Sequence, residues 1–206
     1  MNLKAIIFDF GGVLCFHPSQ QQLDEAALFC GVTTEQFVDA FWRDRLEYDR
    51  GQEPHAYWKS VAGILRTSFD ETAIAGLIRR EVDFWSNFDQ RVLNWTRQLR
   101  QAGIKTGILS NLPIPLGQRL REISGFLEHF DQVTFSCELH SAKPESAIYE
   151  HSIAGLGIAP EEALFLDDRP VNIEGARAVG LEADLYQSWE AFLESDLPRR
   201  NLPRPQ

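Results

Sequence analysis

The feature that most constrains this chain is a set of short apolar runs, each ending in a polar or acidic residue, with helical patterns between them. Ala5-Ile6-Ile7-Phe8 is a continuous apolar run that stops at Asp9, with Gly11 and Gly12 just beyond. This is the pattern of a strand buried on both faces that delivers a carboxylate to a loop. Residues 104–109, 132–135, 163–166 and 181–185 read as further strands; the run at 104–109 ends at Ser110-Asn111 and that at 163–166 at Asp167-Asp168. Helical patterns separate them. Val92, Trp95 and Leu99 precede a stop at Gly103, and Leu116, Leu120 and Ile123 follow Pro115. Residues 145–156 stop at Gly157, and 172–179 stop at Gly180. Strand–helix alternation of this kind predicts an α/β fold with a parallel sheet covered on both faces. The tail, 197–206, is rich in proline and arginine and is expected to fray.

Residues 17–87 interrupt that alternation with helical signals alone. Thr33 and Gln36 form a capping-box pattern ahead of Phe37, Phe41 and Leu46. Gly51 and Pro54 break the chain, and two further series follow at helical spacing: Tyr57, Val61, Ile64 and Leu65, then Ile74, Leu77, Ile78 and Val82. The reading is a helical lobe of about four helices inserted after the first strand. Ligands bind open α/β sheets at that edge, so a lobe placed there can act as a lid. His17, Trp42, Arg43, Arg45 and Tyr48 are the candidates within it for a substrate pocket, although core packing or a solvated face is the default for each.

The 206-residue length suits one such domain with its insertion, and 44% hydrophobic residues can supply a core. A formal net charge of -10 argues against a broad nucleic-acid surface. No apolar run is long enough to span a membrane. The start, Met1-Asn2-Leu3-Lys4, runs into the first strand and does not read as a signal peptide. Cys15, Cys30 and Cys137 are too irregularly spaced for a disulfide framework or a zinc site. Reduced, buried thiols in a cytoplasmic protein are the expectation.

The polar residues at the strand ends form one set: Asp9, Ser110 with Asn111, and Asp167 with Asp168. Lys143 sits in the loop before the 145–156 helix, in a chain with only four lysines. Three carboxylates on one edge repel one another unless a cation lies between them, and Mg²⁺ is the natural hard, oxygen-preferring ion. Such a set suits phosphoryl chemistry. A carboxylate attacks phosphorus, a metal ion screens the approach of two anions, and a lysine and a hydroxyl hold phosphoryl oxygens.

These residues fall into four ordered motifs that resemble the haloacid dehalogenase superfamily. They are Phe8-Asp9-Phe10-Gly11-Gly12-Val13-Leu14, Ile108-Leu109-Ser110-Asn111, Lys143-Pro144-Glu145, and Phe165-Leu166-Asp167-Asp168 followed by Asn172-Ile173-Glu174-Gly175-Ala176. The resemblance implies a Rossmann-like three-layer core at 1–16 and 88–206 and a helical C1 cap at 17–87. It also implies Asp9 as nucleophile and Lys143 as a catalytic residue on nucleophile and phosphate. Ser110, Asn111 and Lys143 would bind phosphate, and Asp9, the Gly11 carbonyl, Asp168 and Asp167 would bind Mg²⁺. Asn172 would cap the helix that follows and orient the metal loop, and Arg169 would be either a solvated residue or a partner of the acids. The branch resembled includes phosphatases of α-glucose 1-phosphate and the amino-terminal domains of soluble epoxide hydrolases. The expected activity is Mg²⁺-dependent hydrolysis of a small phosphorylated metabolite, a sugar phosphate being one such substrate.

Gly11 departs from the superfamily's phosphatases, which usually carry a second Asp there as general acid and base. A glycine cannot protonate a leaving group, and His17 is the candidate replacement. Two alternatives follow: a metal-free 2-haloacid dehalogenase using Asp9 on carbon, and a phosphate-binding regulatory module with little turnover. The Asp167-Asp168 pair argues against the dehalogenase.

Overall fold

The structure, a computed structural model, describes residues 3–200 and 202–205. Five parallel strands form one sheet: β1 (Ala5–Phe8), β2 (Lys105–Ser110), β3 (Gln132–Phe135), β4 (Ala163–Asp167) and β5 (Glu182–Leu185). Their spatial order is β3-β2-β1-β4-β5. Ala5 to Phe8 pair with Lys105 to Ile108 on one side and with Ala163 to Leu166 on the other. The chain therefore builds outward from β1 in both directions, and the carboxyl ends of β1, β2 and β4 meet at the switch point where such sheets bind ligands.

The alternation of side chains on β1 sorts the core into two layers. Ala5 and Ile7 face a cluster with Ile148, Ile153, Phe165 and Ile173, contributed in part by α9 (Ser146–Leu156) and α10 (Pro170–Ala178). Ile6 and Phe8 face the larger cluster, in which Phe8 meets Trp95 of α6 (Gln90–Gln101) edge to face at 5.9 Å. The parallel, doubly covered sheet is the α/β arrangement that the strand pattern predicts.

Between β1 and β2 no strand occurs. Residues 17–87 hold α1 (Gln20–Cys30), α2 (Thr34–Arg43), α3 (Arg45–Asp49), α4 (Pro54–Ile64) and α5 (Glu71–Phe84). There are five helices where the spacing predicts about four; Asp44 alone divides α2 from the five-residue α3, which is too short to show a period of its own. The Ser19/Gln22 capping box and a left-handed Gly31 delimit α1, and the Thr33/Gln36 box opens α2 as expected. Phe37, Phe41, Tyr57 and Trp58 belong to the same apolar cluster as Phe8 and Trp95, so the helical segment and the sheet share one core.

After β2 come α7 (Ile114–Glu122), then β3 and the short α8 (Ser136–Leu139). The tail differs from expectation. Leu197 and Leu202 are buried, Trp95 Nε1 donates to the Pro203 carbonyl at 2.8 Å, and Arg200 pairs with Asp184 at 2.7 Å. Proline and arginine counts suggest an unattached segment, but the apolar leucines and the acidic β5 edge give this one partners. Met1, Asn2, Asn201 and Gln206 lie outside the described residues.

Candidate active site

Asp9 immediately follows β1, and its main chain continues the sheet by donating to the Leu166 carbonyl at 2.8 Å. Its side chain turns back so that Oδ1 accepts from the Phe10 amide at 2.6 Å and faces Lys143 Nζ at 2.9 Å. Lys143 Nζ also reaches Asp167 Oδ2 at 2.6 Å. The lysine is held from behind by Asn111, whose side-chain amide donates to the Lys143 carbonyl at 2.9 Å and accepts from its N–H at 2.8 Å. Asn111 thus ties the end of β2 to the lysine loop.

Both Asp167 oxygens are occupied. Oδ1 accepts from the Arg169 amide at 2.8 Å, both oxygens lie 3.0 Å from Asn172 Nδ2, and Lys143 takes Oδ2. Pro170 opens α10 with its φ already helical, and one turn of that helix returns Asn172 to Asp167. Asn172 therefore lies inside the first turn rather than at the cap, which is Arg169. Asp168 points instead towards His17, whose Nε2 lies 3.0 Å from its Oδ2. Ser110 is buried at the end of β2 and lines the same cavity as Asp9, Gly11, Lys143 and Asp168.

The loop after Asp9 depends on its glycines. Gly12 has φ +77°, and a Cβ there would fall 2.7 Å from Asp168 Oδ2 and 2.8 Å from His17 Nε2. Gly11 is not in the left-handed region; a Cβ there would meet the Trp85 ring at 2.9 Å. The space that an acidic side chain at position 11 would need is filled by an indole.

Ligand oxygens of Asp9, Asp167 and Asp168 lie within 4.8 Å of one another. Lys143 faces only two of these three carboxylates, and the clustered donor set is oxygen alone, so the residues fit a hard divalent cation such as Mg²⁺. Burial pushes the Asp9 carboxyl up to about 7, against the pull of Lys143 and with the help of Asp167 and Asp168. Burial also opposes ionisation of Asp167, but Lys143, the Arg169 amide and its other donors hold it below the ordinary carboxylate range. Burial works against the charge on Lys143 too, and Asp167 and Asp9 outweigh it, so the lysine stays a cation.

Residues 3–180 match the haloacid dehalogenase-like hydrolase family. The chain is a haloacid dehalogenase-like hydrolase. This hydrolase is 28% identical over 197 residues to the sesquiterpene phosphatase astK of Aspergillus oryzae, a match covering 87% of this chain and 88% of that one. It is 31% identical over 115 residues to the glyceraldehyde 3-phosphate phosphatase of Methanopyrus kandleri, covering 52% and 49% of the two chains. In fold it is similar to the magnesium complex of the HAD family enzyme bt-2542 from Bacteroides thetaiotaomicron, with TM-score 0.76, 20% identity, and coverage of 97% and 100%.

The pocket candidates in the helical segment separate. Trp42 and Arg45 line the cavity next to Asp9, and Arg43 lies at its outer mouth, paired with Asp39. Tyr48 does not reach it; it is buried, stacks on Tyr57 at 3.9 Å and donates to Glu81 Oε2 at 3.0 Å. Asp49 and Trp85 line the cavity and were missed. The signal for Asp49 was available: Arg45 and Asp49 stand four apart, the spacing of a helical ion pair, with Asp49 two residues before Gly51. For Trp85 no local pattern tells a cavity wall from core.

Among the described residues no helix is long and apolar enough to cross a membrane. Cys15, Cys30 and Cys137 are free and buried.

Proposed function

We propose that this hydrolase is a Mg²⁺-dependent phosphatase of small phosphate monoesters, working through an aspartyl-phosphate on Asp9. The observation that carries the reading is the convergence of Asp9, Lys143, Asp167 and Asp168 at the switch point, with Ser110 in the same cavity. Asp9 attacks phosphorus, and the alcohol leaves. Lys143 and Ser110 hold phosphoryl oxygens, while Asp167 and Asn111 position Lys143 from either side. On this assignment the Asn111 side chain serves the lysine rather than the phosphate. Held by Asp9, Asp168 and the Gly11 carbonyl, with Asp167 behind, Mg²⁺ would supply charge screening between nucleophile and phosphate. Residues 1–16 and 88–206 form the core, and 17–87 act as a cap that closes over the substrate. Three unpaired buried thiols favour a cytoplasmic setting.

The cap side of the cavity favours an apolar alcohol over a sugar. Trp42, Leu46 and Val171 are 46%, 43% and 44% exposed, and all three line the outer mouth; Leu112, Leu116 and Trp85 lie deeper. The polar wall groups are largely committed: Arg45 to Asp49 and Glu81, Asn111 to Lys143, Asn172 to Asp167. A sugar needs uncommitted donors and acceptors to replace its water, whereas an alkyl or isoprenoid chain needs only the apolar wall. The relative named a sesquiterpene phosphatase agrees with that choice.

The test is hydrolysis of p-nitrophenyl phosphate, a long-chain alkyl phosphate and glucose 1-phosphate, each with Mg²⁺ and with EDTA. Turnover only with the metal, with the alkyl ester ahead of the sugar ester in kcat/KM, is the expected result. Undiminished turnover in EDTA would remove the metal, and halide release from a 2-haloacid in EDTA would install the dehalogenase reading in its place.

A further inference from the structure

An alkyl phosphate needs a proton at its departing oxygen, because an alkoxide is a poor leaving group. The usual place for the donor is closed here by Trp85 against Gly11. His17 is engaged by Asp168. Another acid, Asp49 at the end of α3, lines both the inner cavity beside Asp9 and its outer mouth. The residue is 7% exposed.

Its surroundings favour its protonated form. Arg45 faces two buried carboxylates, Asp49 and Glu81. Glu81 has donors on both oxygens, Arg45 Nη1 on Oε1 and Tyr48 on Oε2. Asp49 accepts only on Oδ1, from Arg45 Nε at 2.8 Å, and among the described residues nothing donates to Oδ2. Two acids buried against one guanidinium compete for it, and the proton is favoured on the one with fewer donors, Asp49. The other charged groups that act on Asp49 are Lys143 and Arg169 on the core side; the neutral Tyr57 of α4 and Cys137 of α8 lie close enough for the Asp49 charge to oppose their ionisation. Burial dominates and raises the Asp49 carboxyl, against Arg45, Arg169 and Lys143.

Asp49 is also fixed with respect to the sheet. Its carbonyl accepts from Ser136 Oγ, and the same hydroxyl accepts from the Leu112 amide at 2.9 Å, next to Ser110 and Asn111. Arg50 pairs with Glu145, and its carbonyl faces His140 Nδ1 at 2.9 Å. The helical segment is thus fastened to the core at the residue that faces the reaction.

We propose that Asp49 is the general acid and base of this hydrolase, standing in from the cap for the acid that Gly11 lacks. The assignment rests on the phosphatase reading above. In the first step Asp9 bonds to phosphorus, the P–O bond to the alcohol breaks with its electron pair on oxygen, and the Asp49 Oδ2 proton passes to that oxygen. In the second, Asp49 carboxylate takes a proton from water as the water oxygen bonds to phosphorus. The Asp9–phosphorus bond then breaks, returning Asp9 carboxylate, inorganic phosphate and protonated Asp49.

The experiment compares the unmodified protein with Asp49→Asn, in Mg²⁺, on phosphate esters from 2,4-dinitrophenyl to primary alkyl. The amide oxygen of that variant can still accept from Arg45, and thermal unfolding checks the fold. The dinitrophenyl ester, whose leaving group needs no proton, should lose little in the rate of the first step. The alkyl ester should lose about 100-fold or more, and the fall in alkyl kcat at high pH should disappear. If Asp49→Asn does not fold, Asp49→Glu, which keeps the carboxyl but displaces it, should show the same ordering with smaller losses. Equal losses along the series, or none, would overturn the assignment and leave the phosphatase standing. No turnover of dinitrophenyl phosphate by the unmodified protein would instead bring down the phosphatase reading, and this assignment with it.

Discussion

The sheet edge and the helical segment hold the same device in two chemistries. At the edge, Lys143 lies between Asp9 and Asp167; in the helical segment, Arg45 lies between Asp49 and Glu81. Each cation is buried, and each trio has one acid whose two oxygens both have donors, Asp167 and Glu81. The other acid of each trio, Asp9 or Asp49, faces the common cavity and is raised by burial. The difference lies in what else is near. Asp9 has a third carboxylate beside it and the makings of a cation site, and a cation bound there would favour the ionised carboxylate that the proposed attack requires. Among the described residues Asp49 has a direct ion pair with Arg45 alone, and burial outweighs Arg45, Arg169 and Lys143, so its protonated form is favoured. A buried acid becomes nucleophile or proton donor according to whether a second cation can join it.

Removing each cation breaks the comparison most severely. Arg45→Met leaves Asp49 and Glu81 buried without a counter-charge and should cost about 3–5 kcal/mol in a denaturant titration. Lys143→Met should instead lose roughly 1,000-fold in kcat/KM on all phosphate esters, while added Mg²⁺ offsets part of its loss of stability, since the ion can sit among the same acids. Equal unfolding of both variants, with no metal effect, would say that the two trios are alike.

A smaller effect separates the two cavity-facing acids by pH. The folded carboxyl of Asp9 lies near 7, above its ordinary 3.8, so folding takes up a proton there. The stability this contributes is complete below about pH 4 and is lost as pH rises through about 7. Asp9→Asn should therefore raise the Tm of the metal-free protein at pH 8 by about 3 °C or more, with no gain at pH 4. Mg²⁺ should raise the Tm of the unmodified protein at pH 8 and do less for the variant. Thermal melts across pH with EDTA and with Mg²⁺ check the sign.

Much of this was legible before any coordinates. The strands could be read because a parallel sheet covered on both faces demands continuous apolar runs, and Ala5 to Phe8 and Ala163 to Leu166 supply them. Asp9, Ser110, Lys143, Asp167 and Asp168 stood out because each ends a strand or sits in a loop at one edge. Asp49 did not: its spacing from Arg45 marks only a helical ion pair, while the competing acid Glu81 comes from another helix and only tertiary packing puts Ser136 under the Asp49 carbonyl. Nor did the block at Gly11, which needs Trp85, distant in sequence, to fold over it. The packed tail was misread for a related reason: its anchors, Trp95 and Asp184, lie on other elements.

Two gentler substitutions sharpen the contrast. Glu81→Gln removes the competing acid, so Asp49 becomes the sole partner of Arg45 and ionises. Alkyl phosphate turnover should fall about tenfold, with dinitrophenyl phosphate unaffected; a loss shared by both would assign Glu81 to folding alone. Trp42→Ala removes apolar wall at the mouth and should cost about three- to tenfold in kcat/KM for a long-chain alkyl phosphate, and nothing for a methyl ester.

The most direct test of the central claim is capture of the phosphorylated carboxylate. The protein is mixed with an aryl phosphate and Mg²⁺, quenched in acid over a time series and treated with borohydride, which reduces an acyl phosphate to an alcohol. Peptide mass spectrometry should find the reduced residue at position 9 during turnover, absent without Mg²⁺, and Asp9→Asn should be inactive. An unmodified Asp9 peptide at every time point, together with turnover by Asp9→Asn, would contradict the account.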